Sequence, residues 1–137
     1  MAGFDAASKT LRLALLLPVA CTVRPYEPCP VAWSGPLPAD AFATCQRVLA
    51  ARYGALQVAD PEAFLLQSAW APVADPPGER RASVFLDRGE LAVVVEVRWV
   101  REPVLGLPEW SSIAADQAAE RQLAVALAEQ LAVVPPR

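Results

Sequence analysis

The chain has 137 residues, enough for one domain, and its formal net charge is −3. Hydrophobic residues make up 55% and charged residues 20%, a balance that builds a core and excludes a disordered chain. There is no histidine, so Ser-His-Asp and Cys-His catalysis and the commonest metal ligand are excluded together.

In chain order, Lys9 and Arg12 precede the short apolar run Leu13–Val19, which ends at Ala20-Cys21. A basic segment, an apolar run and small residues are the layout of a secretory signal. The run is far shorter than the roughly 20 residues that span a bilayer. The alternatives are ordinary cleavage near Ala20 or a buried helix, which Pro18 would interrupt. From Cys21 onward the chain carries 10 basic and 14 acidic residues, net −4. No basic patch suits nucleic acid, which needs clustered Lys and Arg.

On Ala20-Cys21, after a short apolar run, the N-terminus resembles bacterial lipoprotein precursors, with Pro18 where a leucine is usual. The resemblance implies lipid attachment at Cys21 and removal of residues 1–20 as a signal peptide. It also implies a protein anchored to a membrane through lipid. Thr22 follows the cysteine where an Asp would favour inner-membrane retention, so the expected site is the outer membrane, on the periplasmic side. Residues 21–38 hold Pro25, Pro28, Pro30, Pro36 and Pro38 and read as an extended tether.

If Cys21 carries lipid, Cys29 and Cys45 remain in an oxidising compartment. A disulfide between them would close a loop of about 15 residues, worth roughly 3 kcal/mol in the chain-entropy model. The alternative is two free thiols, with Cys45 a small buried hydrophobe. The cysteine spacing makes no zinc motif.

The domain is expected over residues 39–137. Asp40 as N-cap, the pattern Phe42, Cys45, Leu49, Tyr53 and the following Gly54 predict a helix over 41–53. Leu56–Val58 and Phe64–Trp70 read as strands around the turn Asp60-Pro61. Arg80–Leu86 and Leu91–Arg101 read as a hairpin turning at Asp87-Arg-Gly-Glu90. In the second strand Leu91, Val93, Val95, Val97 and Trp99 share an apolar face; Ala92, Val94, Glu96, Arg98 and Val100 share the other. A loop with Pro103, Gly106, Pro108 and Trp110 leads to a second helix from Asp116 to Leu131, with Leu123, Leu127 and Leu131 as its stripe.

The expected fold is α+β, order α-β-β-β-α: a three- to four-stranded antiparallel sheet with two helices on one face. This element order resembles the helix-grip domains of outer-membrane assembly lipoproteins and the lipopolysaccharide-assembly lipoprotein. Fold alone does not assign function.

One pattern is a candidate for an interface. Trp110, in its Pro-rich loop, with Arg98 and Arg101 on the last strand, is a possible partner surface. The alternative for Arg80, Arg81, Arg98, Arg101, Glu79 and Glu96 is cross-strand charge pairing on a solvated face. Trp70 and Trp99 read as core or rim packing. Asp116 and Glu120 read as an N-cap and a first-turn acid. No cofactor is implied. The functional expectation is a membrane-anchored, non-catalytic envelope lipoprotein, an accessory or scaffold subunit with an envelope protein partner. The alternative is an exported module that binds a lipid or peptide.

Overall fold

The computed structural model describes residues 26–101, 104–107 and 109–133. The signal peptide expected over 1–20 and the lipid site Cys21 lie outside the described residues. In chain order the elements are β1 (Cys29–Pro30), α1 (Ala41–Tyr53), β2 (Leu56–Asp60), β3 (Leu65–Ser68), β4 (Ala71–Val73) and β5 (Gly78–Asp87). Then follow β6 (Glu90–Arg101), a 3-10 turn (Val104–Gly106), β7 (Glu109–Trp110), β8 (Ala114–Ala115) and α2 (Gln117–Ala132).

The fold is α+β, and all sheet pairings are antiparallel. Among the described residues the sheet has eight strands rather than three or four, so the simple order α-β-β-β-α is not matched in detail. Its main order is β1-β6-β5-β3-β2; β4 also lies beside β5, and β7 and β8 beside β6. The additional strands β1, β4, β7 and β8 are two or three residues long. Such lengths carry no alternation, and Pro30 and Pro72 sit in strands at the margins of the long hairpin, where a missing N–H is tolerated.

The long hairpin β5–β6 forms where expected. Arg88 (φ 53°) and Gly89 (φ 81°) both take left-handed conformations at its turn. A two-residue turn of that hand matches the twist of the strands it joins. At the other end of the pair, Gly78 faces Trp99. A Cβ at Gly78 would lie 2.7 Å from the indole Cε3, so glycine lets the ring lie across the strand.

Alternation then separates two faces. Ala82 and Val84 of β5, Leu91, Val93 and Val95 of β6 and Leu66 of β3 are buried on the helix side. They meet Cys45 and Leu49 of α1 and Leu123, Leu127 and Leu131 of α2 in one core. Each fully buried Leu or Val contributes about 1.5–3 kcal/mol. Phe42 packs edge-on against Phe64, ring centroids 5.4 Å apart.

The helix ends differ from one another. Asp116 caps α2 as expected, its carboxylate accepting from the Ala119 N–H at 3.1 Å. Asp40 precedes α1, but its side chain makes no cap bond; its backbone carbonyl accepts from Thr44 instead. Gly54 ends α1 at φ 81°, its N–H donating to the Ala50 carbonyl.

The Pro-rich segment, expected as a tether through residue 38, joins the domain from Cys29 onward. β1 pairs with Ala92 and Val93, the Val31 N–H donates to the Leu91 carbonyl at 2.8 Å, and Val31 is buried. Trp33 and Leu37 pack against the core behind it.

The outer edge of β6 is therefore covered piecewise. β1 takes Ala92–Val93, β8 takes Glu96–Val97 and β7 takes Val100–Arg101. Between β1 and β8 the Val95 N–H donates to Glu120 Oε1 at 3.0 Å, and the Val95 carbonyl accepts from the Asp116 N–H. A carboxylate from α2 here does the work of a strand's carbonyl. Glu120 is thus the expected first-turn acid of α2 and also, at 2% exposed, a buried acceptor for the sheet edge.

Burial pushes the Glu120 carboxyl above its ordinary pKa, against the lowering effects of the Val95 N–H and the Arg121 charge. Folding thus favours its protonated form. Its contribution to stability is full below the unfolded pKa and is lost as pH rises through the raised folded value. Glu120→Ala orphans the Val95 N–H and is expected to cost about 1–3 kcal/mol. Relative to Glu120→Gln, the native chain is expected to gain stability as pH falls from neutral. Urea denaturation of the three proteins across that range checks both statements.

Candidate docking surface

The face of the hairpin turned away from the helices carries Glu79 and Arg81 from β5 and Glu96 and Arg98 from β6. The register sets Glu79 opposite Arg98 and Arg81 opposite Glu96. Arg81 Nε donates to Glu96 Oε2 at 2.8 Å, and Arg98 Nε donates to Glu79 Oε2 at 2.9 Å. All four side chains are about one quarter exposed or less. The cross-strand pairing read from the sequence is realised at both positions.

Two tryptophans complete the arrangement. The Arg81 guanidinium lies 4.5 Å from the Trp70 ring centroid, and that of Arg98 lies 4.3 Å from the same ring. Arg98 also lies 4.4 Å from the Trp110 ring. The result is an alternating stack Arg81–Trp70–Arg98–Trp110. Each cation–π contact contributes about 0.5–1 kcal/mol at such partly exposed sites. Trp70 comes from the link between β3 and β4, and Trp110 from β7, so the stack ties both margins of the sheet to the central hairpin.

Serine hydrogen bonds hold the Trp110 segment further. The Trp99 N–H donates to Ser111 Oγ at 2.9 Å, and the Ser111 N–H donates to the Trp99 carbonyl at 2.8 Å. Beside this rigid base lies an apolar loop. Leu105 is 94% exposed, Leu107 73%, Ile113 53% and Trp110 39%. Leu105 has φ 67°, a left-handed conformation that a bulky residue rarely adopts.

Of the predicted interface residues, the structure brings Arg98 and Trp110 into contact and leaves Arg101 out. Arg101 is exposed at the end of β6, three residues beyond Arg98 and so of the alternate parity along the strand. Arg80 and Arg81 separate onto opposite faces for the same reason. Arg80 turns to the helix side and pairs with Asp116 at 2.9 Å, its Nε buried without a partner. Trp70, read as core or rim packing, is half-buried in the stack, and Trp99 lies against Gly78. The exposed leucines were visible only as Leu105-Gly106-Leu107 within the Pro-rich loop. A tight turn with apolar residues on both sides of a glycine leaves little room to bury them.

Cys29 and Cys45 are free thiols in the structure, so the expected bridge between them is not formed there. β1 holds Cys29 at the β6 edge beneath α2, while α1 carries Cys45 over β3 and β5. Burial pushes the Cys45 thiol pKa up to about 11, which leaves it protonated and unreactive at neutral pH. Among the described residues no group of three or more Cys, Asp or Glu is placed to hold a metal ion. No helix among them is long and apolar enough to cross a membrane.

Chemically, the surface is self-neutralised. Each arginine has its own glutamate, so the stack offers planar rings and guanidinium edges next to bare leucines. Such a surface suits contact with apolar and planar groups more than the capture of a charged ligand.

Arg98 is the one side chain shared by both tryptophans. Arg98→Ala is expected to destabilise the domain by about 1–3 kcal/mol through the loss of two cation–π contacts and an unpaired Glu79. Arg98→Lys, which keeps the charge but not the planar fork, is expected to fall between the two. Denaturant melts of the three proteins check the order.

Comparison of the chain with family models, with curated proteins and with solved structures finds no match.

Proposed function

We propose that the chain is an exported, non-catalytic lipoprotein of the cell envelope, lipid-anchored at Cys21 and facing the periplasm at the outer membrane. It serves as an accessory or scaffold subunit. The observation that carries the docking role is the exposed trio Leu105, Leu107 and Ile113 beside Trp110. Monomeric proteins rarely leave such apolar groups together in water unless they meet something. The anchoring role is supported by the N-terminal sequence alone: the basic start, the short apolar run and Ala20-Cys21. Several acyl chains on one cysteine hold a small domain at a membrane without a spanning helix, at about 0.8 kcal/mol per buried CH₂.

A second reading, a module that carries an apolar ligand, is supported by a groove of about 300 Å³ between β1 and α2. Cys29, Ala32, Ala124, Val125 and Ala128 line it. The groove lies outside the core, since Leu49, Leu66, Leu123, Leu127 and Val93 fill the space between helices and sheet.

Growth of the source cells with a clickable fatty acid tests the anchor. The native chain is expected to take up label and to sediment with membranes, while Cys21→Ala is expected to do neither. An unlabelled native chain would overturn the proposal.

A further inference from the structure

We infer that the groove between β1 and α2 takes a single-chain amphiphile with a carboxylate head, a fatty acid, and that the head lies on Arg121. This rests on the reading of the chain as a module that carries an apolar ligand, and adds the ligand's chemical class and its direction in the groove.

Shape selects a chain. On α2 the groove is lined by Arg121, Ala124, Val125, Ala128 and Glu129. Positions three, four, seven and eight residues apart share one helix face, so the groove follows the helix axis. Eight residue steps from Arg121 to Glu129 cover about 12 Å. Cys29 and Pro30 of β1 and the following Ala32 form the opposite wall. A volume of about 300 Å³ spread along that length is at the lower end for a small-molecule site. It is a slender channel that suits an extended acyl chain better than a broad ring system. Between its ends the walls are apolar, and Val125 there is 57% exposed.

Charge selects the head and its direction. Arg121 is exposed and makes no ion pair among the described residues. Its charge reaches Glu120, but that carboxylate is buried and occupied by the Val95 N–H. One end of an apolar channel thus carries a guanidinium with donors to spare, the group that holds a carboxylate through charge-assisted hydrogen bonds. Glu129, two turns along the same face, repels a carboxylate. A fatty acid therefore lies with its head at Arg121 and its methyl end towards Glu129, and a neutral chain of equal length lacks the first of these contacts.

The test uses the full-length chain with Cys21→Ala, whose remaining thiols are Cys29, half-buried on the groove wall, and Cys45, fully buried. Dodecanoate and dodecanol are titrated by calorimetry for affinity, and shielding of Cys29 from N-ethylmaleimide, read by peptide mass spectrometry, gives the place. Dodecanoate is expected to bind at one site, to shield Cys29 and to bind more tightly than dodecanol. Arg121→Gln is expected to weaken dodecanoate about tenfold, the loss of one charge-assisted contact, and to leave dodecanol unchanged. Ala32→Trp, at an exposed wall position, is expected to abolish binding of both with an unchanged melting curve. Dodecanol binding as tightly as dodecanoate, or dodecanoate binding unmoved by Arg121→Gln, would overturn the carboxylate assignment and leave the apolar-ligand reading standing. No binding of either compound would remove both. Binding that survives Ala32→Trp would put the ligand elsewhere and overturn the inference.

Discussion

The register between β5 and β6 decides which side chains meet on each face, and the other elements fit around that decision. Its ten pairs place Ala82 opposite Val95 and Val84 opposite Val93 on the helix side. The same register places Arg81 opposite Glu96 and Glu79 opposite Arg98 on the other. A slip of one residue would send the valines to solvent and the charges into the core. Core and stack are thus two faces of one pairing, and the left-handed turn at Arg88-Gly89 helps to fix it.

A hairpin of that length leaves two long edges, and the chain closes them with small pieces rather than whole strands. On the β5 side, β3 and β4 share the work. On the β6 side, β1, the Glu120 carboxylate, β8 and β7 succeed one another. Unpaired strand edges invite pairing with other chains, and breaking the cover into short lengths with proline limits that hazard. The arrangement also brings two segments far apart in the chain, β1 and the pair β7 and β8, to the same strand. One meets it near the turn of the hairpin, at Ala92–Val93; the others meet it at the far end, between Glu96 and Arg101.

The parts of this architecture that have a period could be read from the residues. The 3.6-residue stripe of Leu123, Leu127 and Leu131 and the two-residue alternation from Leu91 to Trp99 gave both helices and the long hairpin within one or two residues. Strands of two or three residues have no period to read, so β1, β4, β7 and β8 were missed and the tether was extended too far. Glu120 is legible as a first-turn acid, but its bond to the Val95 N–H is not, because local helix electrostatics knows nothing of an open strand edge 25 residues away. The candidate surface was half legible. Arg98 and Trp110 stood out by type and position, whereas Trp70 reaches the stack only through the three-dimensional placement of the β3–β4 link.

The outer face of the hairpin depends most on Arg98 lying between two indoles. Proton NMR of its side chain measures this directly, because ring currents from stacked tryptophans move the Arg98 methylene resonances. If Trp70 and Trp110 flank it, those protons will appear well upfield of their random-coil positions and move part of the way back in Trp110→Ala. Methylene shifts at random-coil values in the folded protein would contradict the stack, and with it the fixed base proposed for the docking loop.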